Sequence, residues 1–117
     1  MLKFYGYKKC GTSRKGEKAL TEANIKYTFI DITEVPPARS TLAKMIKQSG
    51  EPIKKFFNTS GEAYKSENMK EKLKTMSQAE MIDALAANGR LIKRPLVTDG
   101  KHSTVGYSEE TFLKTWK

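Results

Sequence analysis

The stretch LKFYGYKKCGTSRKGEKALTEANIKYTFIDI, residues 2–32, decides the fold of this chain. Its first six residues alternate in the way a β-strand does, with Leu2, Phe4 and Gly6 on one side. A helix is predicted next, capped by Thr12 or Ser13 and running to about residue 23. Residues 27–32 form a second β-rich run, so the segment predicts a strand–helix–strand unit.

The middle of the chain, by contrast, is predicted to be helical. Pro36-Pro37 opens one helix, which Gly50-Glu51-Pro52 breaks, and residues 56–61 have the pattern of a short helix end and a turn. Apolar spacing at Met69, Leu73 and Met76 indicates another helix. Residues 77–80 (SQAE) form a capping box in front of a further helix that stops near residue 88.

The carboxyl-terminal end returns to a strand pattern. Two β-rich runs, residues 95–98 and 103–106, flank Asp99-Gly100, which is a strong hairpin signal. Ser108 is predicted to cap a last helix with Phe112, Leu113 and Trp116 on its apolar face. The predicted order is therefore βαβ, a helical block, and ββα.

Charge and composition limit what this chain can be. The 117 residues carry a formal net charge of +9, of which +7 falls on residues 1–60. Most of the 22 cationic side chains are lysines, whereas nucleic-acid readers depend more on arginine and interleaved aromatic residues. We therefore expect no direct nucleic-acid binding, and solubilising lysines, an acidic partner or an anionic substrate remain as explanations. No apolar run approaches the roughly 18 residues that a membrane span needs.

Cys10 is the single cysteine of the chain, so no intrachain disulfide can form. It lies where the first strand ends and the first helix begins, and the backbone N–H groups of a helix start stabilise an anion. Cationic residues surround it along the sequence, at Lys8, Lys9, Arg14, Lys15 and Lys18. Such settings lower the pKa of a thiol from about 8.5 to roughly 3.5–7.5. We predict a reactive thiol rather than a buried, inert one.

The spacing of residues along the chain does not match other motifs that bind phosphate or metal ions. A low-molecular-weight phosphatase loop needs arginine six positions after the cysteine, where this chain has Gly16. Residues 11–16 lack the spacing of a Walker A phosphate loop. Cys10 and His102 alone do not make a metal site. Arg39 and Arg90 are interpreted as surface or helix-end charges.

Three segments resemble the ArsC/Spx family: residues 7–15 (YKKCGTSRK), 93–97 (KRPLV) and 105–110 (VGYSEE). That family contains glutaredoxin-dependent arsenate reductases and the transcription regulator Spx, and the resemblance covers nearly the whole chain. It implies an α/β, thioredoxin-like fold (βαβ…ββα) with an inserted helical subdomain. One domain of residues 1–117 is expected, with the thioredoxin-like part in about 1–35 and 90–117 and the insert in about 36–89.

The resemblance also implies roles for individual residues. Cys10 matches the redox cysteine, and Ser13 stands where many relatives, Spx included, have a second cysteine. Pro95 matches a proline that follows a cis peptide bond beside the cysteine, and Arg94 matches an arginine that binds the oxyanion. Catalytic roles are thus expected for Cys10 and Arg94. Substrate or anion binding is expected for the neighbouring positions Gly11, Thr12, Ser13, Arg14, Lys15 and Pro95.

This chain departs from the arsenate reductases at two positions. Those enzymes place three arginines around the substrate, but Asn58 and Tyr107 stand where two of them would be. Asn and Tyr cannot copy the forked, charge-assisted contacts that arginine makes to a tetrahedral anion. We therefore expect weak or absent turnover of arsenate.

Two functional hypotheses follow from the resemblance. The first is a thiol oxidoreductase whose Cys10 thiolate attacks a small oxyanion or a disulfide, with glutathione or a glutaredoxin-like protein as the external reductant and no bound cofactor or metal. The second is an Spx-like regulator that docks on RNA polymerase through the insert, where relatives use a glycine and Gly50 lies nearby. Either protein is expected to be a cytoplasmic monomer without membrane contact.

Overall fold

The computed structural model describes residues 2–116, in which four strands form one mixed sheet. The strands are β1 (Leu2–Gly6), β2 (Tyr27–Asp31), β3 (Leu96–Thr98) and β4 (Ser103–Val105), and they lie in the order β2-β1-β3-β4. β1 runs parallel to β2 and antiparallel to β3. β1 lies between β2 and β3. The segment that follows it, which contains Cys10, therefore leaves the sheet at the carboxyl end of an inner strand.

Six α-helices complete the described chain. α1 (Gly11–Glu22) joins β1 to β2, and α6 (Glu109–Trp116) follows β4. Between β2 and β3 lie the helices α2 (Arg39–Ser49), α3 (Glu62–Ser66), α4 (Met69–Lys72) and α5 (Gln78–Ala87), with short 3₁₀ turns at Ile53–Phe56 and Gly89–Leu91. The predicted order of βαβ, helical block and ββα is confirmed.

The alternation of side chains along β1 divides the interior into two cores. Phe4 faces one side of the sheet, where Leu20 of α1 and Phe112 of α6 cover it. Tyr5 faces the other side, in a larger core formed with the helices of the insert. The sheet is thus a middle layer between α1 and α6 on one face and α2–α5 on the other.

The start of α1 differs from the prediction. Cys10, rather than Thr12 or Ser13, is the N-cap residue, with extended backbone (φ −90°, ψ 122°) and a carbonyl that accepts the Arg14 N–H at 3.1 Å. Ser13 lies inside the first turn, completely buried, and its hydroxyl oxygen accepts the Tyr7 N–H at 3.1 Å. Ser13 therefore ties the turn before the helix to the helix itself.

The insert also differs in detail from the pattern of apolar residues. The helix predicted around Met69, Leu73 and Met76 is only the short α4, and α3, which was not predicted, precedes it. Asn68 separates the two in a left-handed conformation (φ 54°, ψ 40°), which prevents one continuous helix. The hairpin across Asp99-Gly100 and the capping box at Ser77 are confirmed.

Two close contacts hold the layers together. On one face of the sheet, a Cβ atom on Gly16 of α1 would lie 3.0 Å from Phe4 and 3.1 Å from Pro95. On the other face, a Cβ atom on Gly89 would overlap the carbonyl oxygen of Ile32. Glycine at these positions lets α1 and the end of the insert approach the sheet. None of the helices within residues 2–116 is long and apolar enough to cross a membrane.

Candidate functional site beside the start of α1

Cys10 lies at the junction of the turn after β1 and the first turn of α1. Its backbone N–H donates to the Tyr7 carbonyl at 2.9 Å, so the turn between the two residues is closed by a hydrogen bond. The side chain is half-buried. The first N–H groups of α1 have no carbonyl partner within the helix, as expected after an N-cap, and those of Thr12 and Ser13 act on the Cys10 thiol.

The surroundings of Cys10 lower the pKa of its thiol. Burial acts to raise the pKa and is the largest single influence. Hydrogen bonds from the Ser13 N–H, the Ser13 hydroxyl and the Thr12 N–H, together with the positive charge of Arg94, outweigh it. Because hydrogen-bond donors and a positive charge stabilise the thiolate more than the neutral thiol, these groups favour the thiolate form.

Ser13 is built into this arrangement by two hydrogen bonds. Its oxygen already accepts the Tyr7 N–H, so its own hydroxyl proton is directed to another acceptor. This hydroxyl lowers the pKa of the Cys10 thiol, as a donor to the sulfur does. Ser13 therefore acts on Cys10 as a hydroxyl donor and not as a second thiol.

Arg94 is the cation whose charge reaches Cys10. It precedes Pro95, across a cis peptide bond, at the start of β3, which lies beside β1. Its guanidinium carbon lies 5.5 Å from the centre of the Tyr7 ring. The Nε atom is buried and has no hydrogen-bond partner among residues 2–116. Arg94 also lowers the pKa of Asp31, behind the larger effect of the Thr33 hydroxyl.

A cleft of about 510 Å³ opens beside Arg94, between the edge of the sheet and the insert. Tyr7 and Arg94 form the wall next to Cys10. Residues of the insert form the opposite wall, among them Asn58, Glu62, Glu67 and Arg90. Cys10 itself does not line this cleft, but two of the lining residues act on it: the Tyr7 carbonyl accepts the Cys10 N–H, and the Arg94 charge lowers the pKa of the thiol.

The other cations predicted to surround Cys10 are engaged elsewhere. Arg14 is exposed, and its Nε donates to the Lys8 carbonyl at 2.8 Å. Lys8 pairs with Glu17 at 3.0 Å and lies 4.1 Å above the centre of the Phe29 ring. Lys15 lines a groove between α1 and α6. The structure thus brings Cys10, Thr12, Ser13 and Arg94 together, whereas neither Arg14 nor Lys15 lines the cleft, and Pro95 packs against Gly16 of α1.

The two positions that lack arginine have different surroundings. Asn58 lines the same cleft as Arg94. Tyr107 does not line that cleft: it lies in a groove shared with Thr12 and Lys93, and its ring packs on Phe112 at 5.1 Å between centres. The cleft therefore keeps one of the three expected arginines and an amide.

Sequence reasoning missed the contribution of the insert to this cleft. Tyr7 was treated only as part of a motif, and Arg90 was interpreted as a surface charge. Arg90 directly follows Gly89 in the chain. Because Gly89 lies against the Ile32 carbonyl, Arg90 is held close to the sheet. No local pattern could have shown this, because it depends on how the insert folds back.

Comparisons with known proteins agree with the fold. The family model described as the ArsC family matches residues 5–115. The uncharacterized protein YusI of Bacillus subtilis is 49% identical, over 98% of both chains. An ArsC family related protein from Bacteroides fragilis has a crystal structure that matches with a TM-score of 0.93 and 43% identity, covering 97% of this chain and 95% of that one.

More distant relatives have names of two kinds. The regulatory protein MgsR of Bacillus subtilis is 26% identical over 99% of this chain and 90% of its own. An arsenate reductase of Rhizobium meliloti is 28% identical over 75% of this chain and 61% of its own, and the regulator Spx of Listeria monocytogenes is 22% identical over 94% and 82%. This chain is therefore similar both to proteins named as regulators and to a protein named as an arsenate reductase. The chain belongs to the ArsC family.

Proposed function

We propose that this protein is a thiol oxidoreductase in which Cys10 is the single nucleophile and an external thiol completes the cycle. The observation that carries the proposal is the convergence on one sulfur of the helix start, the Ser13 hydroxyl and the Arg94 charge. A thiolate is the reactive form of cysteine, and each of these groups stabilises it. Catalytic cysteines lie in such partly exposed, electropositive sites.

The reaction proceeds in two exchanges. The Cys10 thiolate attacks one sulfur of a disulfide, forms a mixed disulfide with it and releases the other half as a thiolate. A second thiol, of the glutathione or glutaredoxin type, then attacks the mixed disulfide and releases Cys10. Ser13 cannot take this second role, because a hydroxyl is not a competent thiol. Arg94 stabilises the anionic groups at each stage.

Arsenate is a poor candidate substrate. Arg94 is the one family arginine in the cleft, and Asn58 replaces a second. An amide offers neither the charge nor the forked geometry that holds a tetrahedral oxyanion. Robust reduction of arsenate by the purified protein would overturn this part of the proposal.

Mass spectrometry of the native protein tests the reactive thiol. Incubation with bis(2-hydroxyethyl) disulfide, which is small and uncharged, should give one adduct at Cys10, which reduced glutathione then removes. The Cys10→Ser variant is the control and should give no adduct. If the native protein stays unmodified while the protein unfolded in guanidinium reacts, Cys10 is an inert, buried cysteine and the proposal fails.

A second candidate is a transcription regulator that binds RNA polymerase through the insert. What favours it is the similarity to the regulatory protein MgsR over 99% of this chain. Affinity purification of the tagged protein from its own cells would recover polymerase subunits in that case. A protein that turns over disulfides with glutathione and recovers no polymerase supports the oxidoreductase instead.

A further inference from the structure

Glu17 of α1 does not line the cleft, yet three elements of the fold meet at its side chain. That side chain is only 15% exposed. Its Oε1 atom accepts hydrogen bonds from Lys8 Nζ at 3.0 Å and from the Tyr27 hydroxyl at 2.9 Å. Lys8 lies in the turn between β1 and α1, and Tyr27 begins β2. Glu17 therefore connects this turn and the edge strand β2 to the second turn of α1.

Burial makes this connection more than a surface ion pair. Ion pairs between exposed side chains contribute little, because water screens them. A mostly buried carboxylate needs its hydrogen-bond donors, and losing one leaves a charge that is poorly solvated. Burial raises the pKa of the Tyr27 hydroxyl, and so does its hydrogen bond to Glu17. Tyr27 therefore stays protonated, and a donor to Glu17, over the pH range in which a thiol titrates.

Two further contacts hold Lys8. Its Nζ atom lies 4.1 Å from the centre of the Phe29 ring of β2, at the distance of a cation–π contact. Its backbone carbonyl accepts a hydrogen bond from Arg14 Nε at 2.8 Å. Although 66% of the Lys8 side chain is exposed, its ammonium group is held between a carboxylate and an aromatic ring, and its backbone is tied to α1.

The turn that contains Lys8 carries hydrogen bonds of the Cys10 site. Tyr7 donates its N–H to the Ser13 oxygen at 3.1 Å, and its carbonyl accepts the Cys10 N–H at 2.9 Å. The Tyr7 ring also lies 5.5 Å from the guanidinium carbon of Arg94. A displacement of Lys8 would shift this neighbouring tyrosine, and with it the N–H that holds the Ser13 hydroxyl and the ring beside Arg94. Both Ser13 and Arg94 act on the Cys10 thiol.

We propose that Glu17 is a positioning residue for Cys10, on which it acts by holding Lys8 and the turn before α1 in place. The inference rests on the proposed function, since it concerns the reactivity of the Cys10 thiolate. Charged side chains near a cysteine commonly act on it through space. Here the effect of the carboxylate passes instead through the contacts of the turn to Ser13 and Arg94.

This positioning role and a direct effect of charge have opposite signs. A carboxylate that acts on a thiol through its charge raises the pKa of the thiol, so removing the carboxylate lowers that pKa. If Glu17 holds the turn, its loss lets the Ser13 hydroxyl and the Arg94 charge move away from the sulfur. The thiolate is then less stabilised, and the pKa of the Cys10 thiol should rise. The direction of the change therefore separates the two mechanisms.

The first test measures alkylation of Cys10 by iodoacetamide over a range of pH in the folded protein. Glu17→Leu removes both the acceptor and the charge, and it should slow alkylation at pH 6 about threefold or more and move the pH profile to higher pH. Glu17→Gln keeps an acceptor oxygen for Lys8 and should retain more of the native rate. Glu22→Leu is the matched control, because this carboxylate of α1 is 68% exposed and pairs with Lys18 at 4.0 Å. It should stay within about twofold of the native rate.

A second set of variants leaves α1 unchanged and decides between the mechanisms if Glu17→Leu does not fold. Lys8→Met loses the ion pair and should slow alkylation at pH 6 about threefold or more. Lys8→Arg can still pair with Glu17 and stack on Phe29, so it should stay within about twofold of the native rate. Lys9 is exposed, in no ion pair within residues 2–116, and one residue nearer to Cys10 in the chain. Lys9→Met should have the smaller effect, because it removes a solvated charge and no contact of the turn.

An equal effect of Lys8→Met and Lys9→Met would overturn the inference, since charge alone would then explain both. Alkylation of Glu17→Leu at or above the native rate would overturn it too, as the direct effect of a lost carboxylate. Both outcomes leave the reactive thiol standing. If Cys10 of the folded native protein is alkylated at pH 6 no faster than Cys10 of the unfolded chain, the proposed function itself fails and the inference fails with it.

Discussion

The chemistry of the site depends on the Cys10 sulfur and on the groups around it that raise or lower the pKa of its thiol. Burial of Cys10 opposes ionisation, while Ser13, Thr12 and Arg94 favour it, and the pKa of the thiol is lowered as a result. The donors are therefore strong enough to reverse the usual effect of burial on a thiol.

Cys10 should react at lower pH than a cysteine in an unfolded chain. Because the pKa is lowered, the thiolate fraction of the folded protein falls only at more acidic pH, and alkylation by iodoacetamide should follow it. Native protein and protein unfolded in guanidinium are titrated side by side. The folded state also gains stability from the thiolate, which is present above the unfolded pKa and lost as pH falls through the folded one. Coincident titration curves would contradict the prediction.

The Ser13→Ala variant should raise the pKa of the Cys10 thiol. It removes the hydroxyl donor but keeps the Ser13 N–H, and a hydrogen bond to a charged group is worth about 1.5–3 kcal/mol. Alkylation at pH 6 should therefore slow about tenfold or more. Thr12→Ala is the matched control, because Thr12 acts through its backbone N–H, which the variant keeps. An equal effect of both variants would show that the hydroxyl does not act on the sulfur.

Arg94→Lys separates the charge of this residue from its forked geometry. Sulfate should protect Cys10 of the native protein from alkylation, because the Arg94 charge acts on Cys10 and its Nε has no hydrogen-bond partner within residues 2–116. In Arg94→Lys the protecting concentration should rise about tenfold, as for the loss of one charged hydrogen bond. Arg14→Lys, which changes an exposed arginine bound to the Lys8 carbonyl, should leave it unchanged. Equal protection of the native protein and Arg94→Lys would mean that charge alone binds the anion.

At the scale of single elements, the capping box of α5 shows how local chemistry fixes a boundary. The Glu80 N–H donates to Ser77 Oγ at 3.2 Å, and the Ser77 N–H donates to Glu80 Oε1 at 3.0 Å. Both free N–H groups are thereby satisfied without any contact from the rest of the molecule.

Ser77→Ala should destabilise the protein by about 1 kcal/mol, because it leaves the Glu80 N–H without its acceptor. Thermal unfolding should show a melting temperature lower by roughly 3–6 °C. Ser40→Ala, at the second position of α2, is the control and should change the melting temperature by less than about 1 °C. A melting temperature of Ser77→Ala within the error of the native value would show that α5 is held by tertiary packing alone.

At the scale of the whole molecule, the site exists because the insert folds back onto the edge of the sheet. Gly89 is the point of closest approach, where the chain meets the Ile32 carbonyl at the end of β2. Asn88 and Arg90 flank it and line the cleft. The packing of the layers and the shape of the cleft are therefore coupled through one glycine.

Gly89→Ala should destabilise the protein by about 1–3 kcal/mol, since a Cβ atom there would overlap backbone that cannot move aside cheaply. Gly11→Ala is a matched control, because a Cβ atom at that helix position meets no atom within 4 Å. Denaturant unfolding should show a lower midpoint for Gly89→Ala alone. Equal midpoints for the two variants would mean that the insert shifts freely on the sheet.

The sequence by itself determined the elements and most of their order. Alternation placed β1, the Asp99-Gly100 signal placed the hairpin, and the Ser77 capping box placed α5, because each is a local pattern that acts over a few residues. It also indicated Cys10 and Arg94 as partners, through the motifs that resemble the family. The helix indicated by Met69, Leu73 and Met76 is shorter in the structure than this pattern, and the left-handed Asn68 separates it from α3, which the pattern did not indicate.

Only the tertiary structure decided which charges act on the sulfur. Lys8, Arg14 and Lys15 are near Cys10 along the chain, yet Lys8 pairs with Glu17, Arg14 binds a backbone carbonyl, and Lys15 lies between α1 and α6. Arg94 is more than eighty residues away in sequence and lies beside Cys10, because β3 pairs with β1. Electrostatic interactions depend on distance in space and on competing partners, and a sequence shows neither.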